Sequence, residues 1–145
     1  MKLDGSYVFN APPERVFALL LDPEALRSCV PGCEKLEPDG EDSYIATLKV
    51  GVASIRGTYN GKIRLTERVE PTSYTMNVEG SGGPGFVRGV AQVALVAEGE
   101  TTRVNVNADG QVGGTVAGVG QRMLGGVAKM LMNQFFDCLR GRLTA

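Results

Sequence analysis

A chain of 145 residues suits a single domain over 1–145, able to bury about 68% of the surface that its unfolded form exposes. Its net charge of −1 comes from fifteen basic and sixteen acidic residues scattered along the sequence; no basic cluster is present to neutralise phosphates, which argues against a nucleic acid partner. Apolar runs such as Val16–Leu21 are too short to span a bilayer, and Met1–Gly5 has no hydrophobic signal core, so a cytoplasmic protein is expected.

Leu3–Asn10 alternates well enough to predict a first strand. Pro12-Pro13-Glu14 then opens a helix, because proline is tolerated in the first turn and an acid favours the positive end of the dipole. Val16, Phe17, Leu19, Leu20 and Leu21 give that helix an apolar side. Pro23 ends it, and Asp22 is placed to cap a second short helix that stops at Pro31-Gly32.

From Cys33 onward the pattern is strands and turns. Cys33–Leu36 is short, and Glu37-Pro38-Asp39-Gly40 supplies turn chemistry. Tyr44, Ala46, Leu48 and Val50 alternate with Ile45, Thr47 and Lys49, before a turn near Gly51–Ala53. In the longest strand Ile55, Gly57, Tyr59, Gly61, Ile63 and Leu65 share one face, and Arg56, Thr58, Asn60, Lys62, Arg64 and Thr66 the other. Tyr74–Gly80 follows with Tyr74, Met76 and Val78 inward, then Phe86–Ala97, then Thr101–Val112 with Val104, Val106 and Ala108 inward. Consecutive strands with short turns are antiparallel.

The last thirty-odd residues, from Gly113, read as one long helix. Val116, Gly120, Met123, Val127, Leu131, Phe135 and Leu139 fall on its apolar face, with Arg122, Lys129, Asn133, Asp137 and Arg140 opposite. The expected architecture is α+β: a seven-stranded curved antiparallel sheet gripping a long C-terminal helix, with two short helices between strands 1 and 2. Leu48, Ile63, Leu65, Val104, Val106, Leu124, Val127, Leu131 and Phe135 are expected inside, and Lys62, Arg64 and Arg103 outside.

The inward faces are unusually small. Ala46, Gly57, Gly61, Gly80, Gly89, Ala91, Ala108 and Gly110 leave little side-chain volume between sheet and helix, and glycines also serve to bend a sheet. Space in an apolar interior predicts an elongated pocket for a flat or extended hydrophobe. Its wall is expected from Tyr59, Gly61, Met76, Val78, Met123, Val127 and Met130, with Phe86 and the Gly82–Gly85 loop at the mouth. Methionines offer shape tolerance, and the Tyr59 hydroxyl is the expected orienting donor. Gly61→Phe is the substitution expected to fill this space.

Other chemistries find little support. There is no histidine to act as base or metal ligand. Tyr7, Tyr44, Tyr59, Tyr74, Glu79 and Asp109 are the proton-transfer candidates, and Ser54, Ser81 and Cys138 lack an activating base, so no catalytic constellation assembles. Gly80–Gly85 lacks the Lys-Ser/Thr ending of a phosphate loop, and Gly118–Met123 lacks the third glycine of a dinucleotide fingerprint, so no cofactor is expected. Three cysteines without a secretion signal argue against a disulfide framework. Cys29 and Cys33 are expected to be reduced and metal-free.

Together these residues resemble a known family. Leu19-Leu20-Leu21-Asp22-Pro23-Glu24-Ala25-Leu26, then Cys29-Val30-Pro31-Gly32-Cys33-Glu34, are similar to the CoxG family, named for an accessory component of carbon monoxide dehydrogenase. So are Tyr59-Asn60-Gly61, Gly80-Ser81-Gly82, and the stretch from Gly113-Gly114 through Val119-Gly120 to Phe135-Phe136. That family lies in the START-like, Bet v 1-like (SRPBCC) superfamily, and the resemblance covers essentially the whole chain. It implies a helix-grip fold that binds lipids, sterols, polyketides or other hydrophobic ligands between sheet and helix. It further implies an accessory, non-catalytic role beside a carbon monoxide dehydrogenase or related molybdenum hydroxylase, with membrane attachment and quinone-linked electron disposal. A peripheral position at the inner face of the membrane follows from it. Some relatives carry a membrane-contacting tail beyond the final helix; this sequence ends at Ala145, so contact through such a tail is not expected. A polyketide-cyclase or hydrolase-type enzyme using the same cavity is the alternative, and a pure assembly or recruitment factor a third reading.

Overall fold

The computed structural model describes residues 1–51, 55–83 and 85–144, the last without its side chain. The turn expected near Gly51–Ala53, Ser54, Pro84 of the expected rim loop and Ala145 therefore lie wholly or partly outside the described residues. Strand β1 (Lys2–Phe9) leads into α1 (Pro13–Leu20) and α2 (Pro23–Cys29). Six strands follow: β2 (Cys33–Pro38), β3 (Ser43–Val50), β4 (Gly57–Val69), β5 (Ser73–Gly82), β6 (Gly85–Glu98) and β7 (Thr101–Gly113). A 3-10 segment, Gly114–Val119, precedes the long helix α3 (Gln121–Thr144). The sheet has seven antiparallel strands in the order β1-β7-β6-β5-β4-β3-β2. The expected element order and fold class hold. Among the described residues no helix is long and apolar enough to cross a membrane.

Local chemistry sets the boundaries. Proline opens both short helices, and the Asp22 carboxylate accepts the Glu24 N–H at 3.0 Å, the cap expected from Asp22-Pro23. At Gly32 the chain turns through φ +77°, and the Lys49 N–H donates to the Gly32 carbonyl at 2.8 Å, tying the end of α2 to β3. Thr102, fully buried, donates its hydroxyl to the Ala11 carbonyl at 2.7 Å and pins the β1–α1 junction to β7.

The strand register follows the alternation. Lys62 and Arg64 are exposed and Arg103 half-exposed, while Leu65, Val104 and Val106 are buried. The well-packed core occupies one end of the grip. There Phe9, Val16, Leu20, Val104 and Leu139 are 0–2% exposed, under α1 and the C-terminal half of α3.

The long helix departs from expectation in two ways. It begins at Gln121 rather than near Gly113, since Gly120 adopts φ +99° and the preceding turn is 3-10. Leu124 and Leu139 are buried as expected, but Phe136 is buried in place of Phe135 and Met123 is 55% exposed, so the helix is turned toward the side of Leu124 and Phe136. The cause is its seat on β1. Phe136 stacks on Tyr7 with ring centroids 4.1 Å apart and meets Phe9 edge-on at 6.2 Å. The Tyr7 hydroxyl donates to Asn133 Oδ1 at 2.6 Å, and Lys129 Nζ donates to the Asp4 carbonyl. Asn133 and Lys129, expected opposite the sheet, therefore bind it.

Candidate ligand-binding hollow

Cross-strand pairing collects the small residues into one area. Ala46, Gly61 and Gly80 pair in a single row across β3, β4 and β5, and that row continues to Val87 and Val112. The adjacent inward row is Tyr44, Ile63, Val78, Gly89 and Gly110. Five of these ten positions are glycine or alanine, so side-chain volume is missing in one contiguous patch of the sheet's inner face. The apolar residues bordering it (Leu48, Ile63, Val78, Val87 and Val112) point inward yet are only half-buried. They stand outside the core cluster that takes in Leu65, Val93 and Val104. The principal neighbours of α3 are β1, α2 and the 3-10 segment, none of them a strand from β3 to β6. On the flank of α3 Val127 and Leu131 are likewise half-buried, and a methyl carbon placed on Gly125 or Gly126 would meet no atom within 4 Å.

The residues expected to form the wall divide into two groups. Tyr59, Gly61, Met76 and Val78 share the inner face of β4 and β5, with Tyr59 9% exposed. Val127 is half-buried on α3. Met123 and Met130, 55% and 43% exposed, lie on the solvent side of α3, and Phe86, 45% exposed, points to the outer face of β6 over Gly113. Leu48, Ile63, Val87 and Leu131 border the patch and were missed as wall residues. The signal for them is the pairing of glycine with glycine between strands, which appears only once the register is known.

The phenols are already engaged or enclosed. The Tyr59 hydroxyl donates to the Ile55 carbonyl at 2.7 Å, so the donor expected to orient a ligand is spent within the protein. Burial pushes the Tyr59, Tyr74 and Tyr7 hydroxyls above the ordinary phenol range, with Asp137 adding to the rise at Tyr7, so all three are neutral at physiological pH.

The cysteines correct the sequence reading. Cys29 at the end of α2 is joined to Cys138 of α3 by a disulfide, with Cα atoms 5.4 Å apart. Cys33 is a free thiol, half-buried and raised in pKa by that burial. The pairing spans 109 residues and follows from α2 packing against α3. Counting local spacings had no access to it.

Among the described residues, three of the surface depressions stand out. One of about 550 Å³ lies on the outer face behind the Ala46–Gly61–Gly80 row, bordered by Ile45, Lys62, Ser81 and Phe86. A trough of about 1130 Å³ runs beside it past Arg64, Asn77, Arg88 and Gln111. A third, of about 560 Å³, surrounds Cys33, Lys49 and Arg56. All three are open and carry charged side chains, unlike the apolar inner patch.

A conserved protein from Geobacillus kaustophilus is 39% identical, with a TM-score of 0.96 over 99% of this chain and 95% of that one. A START superfamily protein from Mycobacterium smegmatis is 16% identical, with a TM-score of 0.73 over 97% and 95% of the two chains. Ara h 8.0201 is 15% identical, with a TM-score of 0.74 over 99% and 97%. These two share the fold. No curated protein matches. The family model for the carbon monoxide dehydrogenase component CoxG matches residues 5–144.

Proposed function

The chain belongs to the carbon monoxide dehydrogenase CoxG family, and from that premise we propose that it is a non-enzymatic carrier of an elongated hydrophobic molecule, a quinone or a lipid. In this reading the molecule lies in the hollow between the sheet and α3, and the protein serves a molybdenum hydroxylase of the carbon monoxide dehydrogenase type, at the membrane surface where such a molecule is exchanged. The observation that carries it is the contiguous Ala46–Gly61–Gly80 and Gly89–Gly110 patch, ringed by inward apolar side chains that are half-buried. Apolar surface held open in this way costs about 25 cal/mol for each Å² left in water, and an apolar ligand recovers that free energy. The floor assigned to the ligand is Tyr59, Gly61, Met76 and Val78, with Val127 and Leu131 as the helix wall. The exposed Phe86, Met123 and Met130 stand outside that floor.

The test is a space-filling substitution. Gly61 is a poor site for it, because a Cβ there would sit 2.9 Å from the Glu79 carbonyl oxygen and disturb the sheet. Gly80 is better, since its Cβ would meet only ordinary contacts at 3.8 Å. Gly80→Phe is expected to abolish saturable uptake of cis-parinaric acid, an elongated fatty acid that fluoresces in apolar surroundings, with the circular dichroism spectrum unchanged. Uptake equal to that of the parent by a folded Gly80→Phe protein would sink the reading.

A further inference from the structure

We propose that the Cys29–Cys138 disulfide is a redox latch that holds α3 closed over the ligand hollow; this rests on the binding reading above and assigns its regulation. Three structural observations support it. First, the bond ties α3 to the α2–β2 edge of the sheet. Cys29 ends α2, which packs against β2 at the sheet edge beside Leu48, whereas Cys138 belongs to α3. Second, the bond is reachable. Cys29 is buried at 4%, but Cys138 is exposed, so an incoming thiolate can approach the sulfur of Cys138. Third, the N-terminal half of α3 is lightly held, while its C-terminal half is seated in the core. The 24 residues of α3 form a rod about 36 Å long. At its N-terminal end it follows a 3-10 segment bounded by Gly113 and Gly120, and residues 121–132 bury only Leu124. Of its other tethers, Lys129 to the Asp4 carbonyl and Tyr7 to Asn133 lie on the β1 side, and Arg15 of α1 donates to the Leu143 carbonyl at 3.1 Å.

A dithiol is the reductant the latch requires. Its thiolate attacks Cys138 Sγ, the Cys29–Cys138 bond breaks, and the Cys29 sulfur leaves and takes up a proton. The second dithiol sulfur then displaces Cys138 as a thiolate, which is protonated in turn. Two electrons have passed to the protein, which now carries two thiols, and the reductant leaves as its own disulfide. The core contacts of Phe136 and Leu139 remain, so the fold persists while the tie between α2 and α3 is lost.

The experiment uses Cys33→Ser protein, so that the remaining thiol cannot exchange with the disulfide. Release of cis-parinaric acid is followed by stopped-flow fluorescence in the oxidised form, after treatment with dithiothreitol, and in the Cys33→Ser/Cys138→Ser variant. Reduction is expected to speed release roughly tenfold, an effect that reoxidation reverses and the double variant reproduces. Amide hydrogen exchange is expected to rise across 121–144 and to stay unchanged in β5–β7. Equal release rates in all forms would overturn the latch and leave the hollow standing. No saturable uptake in any form would overturn the hollow and the latch together. Collapse of the sheet on reduction would also overturn the latch, making the bond a staple of the whole fold; if the double variant fails to fold, dithiothreitol treatment of the folded Cys33→Ser protein decides.

Discussion

At the scale of single residues, backbone geometry decides which small residues are replaceable. Gly32 follows the end of a helix and Gly80 lies within a strand, and the structure gives them opposite tolerance for a side chain. Gly32 sits at φ +77°, and a Cβ there would lie 2.2 Å from the Lys49 carbonyl oxygen, whereas Gly80 has room. Gly32→Ala is therefore expected to destabilise the protein by more than about 1 kcal/mol, through both the left-handed conformation and the close approach to β3. A urea unfolding midpoint indistinguishable from that of the parent would show that the α2–β2 junction yields without cost. The Pro31-Gly32 pair was legible as a stop signal. Its contact with Lys49 was not, because it joins two segments whose spacing only the β2–β3 register fixes.

At the scale of elements, α3 shows where a periodicity argument runs out. Two lines of residues four apart are apolar along it: Met123, Val127, Leu131 and Phe135, and Leu124, Ala128, Met132 and Phe136. Helical spacing cannot rank them, since both suit an amphipathic stripe. The tertiary partner favours Leu124 over Met123 and Phe136 over Phe135, while Leu139 of the first line is buried as well. Gly5 of β1 leaves room that Met132 fills, since a Cβ there would lie 2.7 Å from its terminal carbon, and Tyr7 supplies the ring on which Phe136 stacks. Phe136→Ala is expected to cost about 3–5 kcal/mol, as for an aromatic removed from a packed core. Met123→Ala on the exposed side should stay within about 0.5 kcal/mol of the parent. Chemical denaturation of the two variants checks the assignment, and a larger loss at Met123 would return the helix to the face its sequence first suggested. The same ambiguity hid part of the candidate site. The sheet side of the proposed hollow could be read from alternating residues on β4 and β5, whereas the helix side depends on a rotation that no local pattern encodes.

For the whole molecule, most of the fold was legible because the strands from Tyr44 to Gly80 and from Thr101 to Val112 alternate between turn signals and the prolines mark the short helices. The disulfide was not, since it joins chain segments 109 residues apart. The same packing that joins them also encloses phenols, and this gives the folded state a distinctive response to alkali. Tyr74 is pushed well above the ordinary phenol range by burial, and lies edge-on to Phe17 with ring centroids 5.7 Å apart. Burial raises Tyr7 and Tyr59 in the same direction. A phenol in the unfolded chain ionises near its ordinary value of about 10, while these three remain protonated in the fold. Below that pH both states hold the proton and the full stability is present. Above it the unfolded state binds fewer protons, so stability falls as pH rises through the folded values. Urea midpoints are expected to decline from about pH 10 upward, with Tyr74 contributing up to about 1.4 kcal/mol for each further pH unit. Tyr74→Phe keeps the ring against Phe17 and removes the ionisable group, so its alkaline decline should be shallower than that of the parent. Parallel declines in the two proteins would mean that Tyr74 ionises without opening the core, and the alkaline limit of the fold would then lie with Tyr7 and its hydrogen bond to Asn133 on α3.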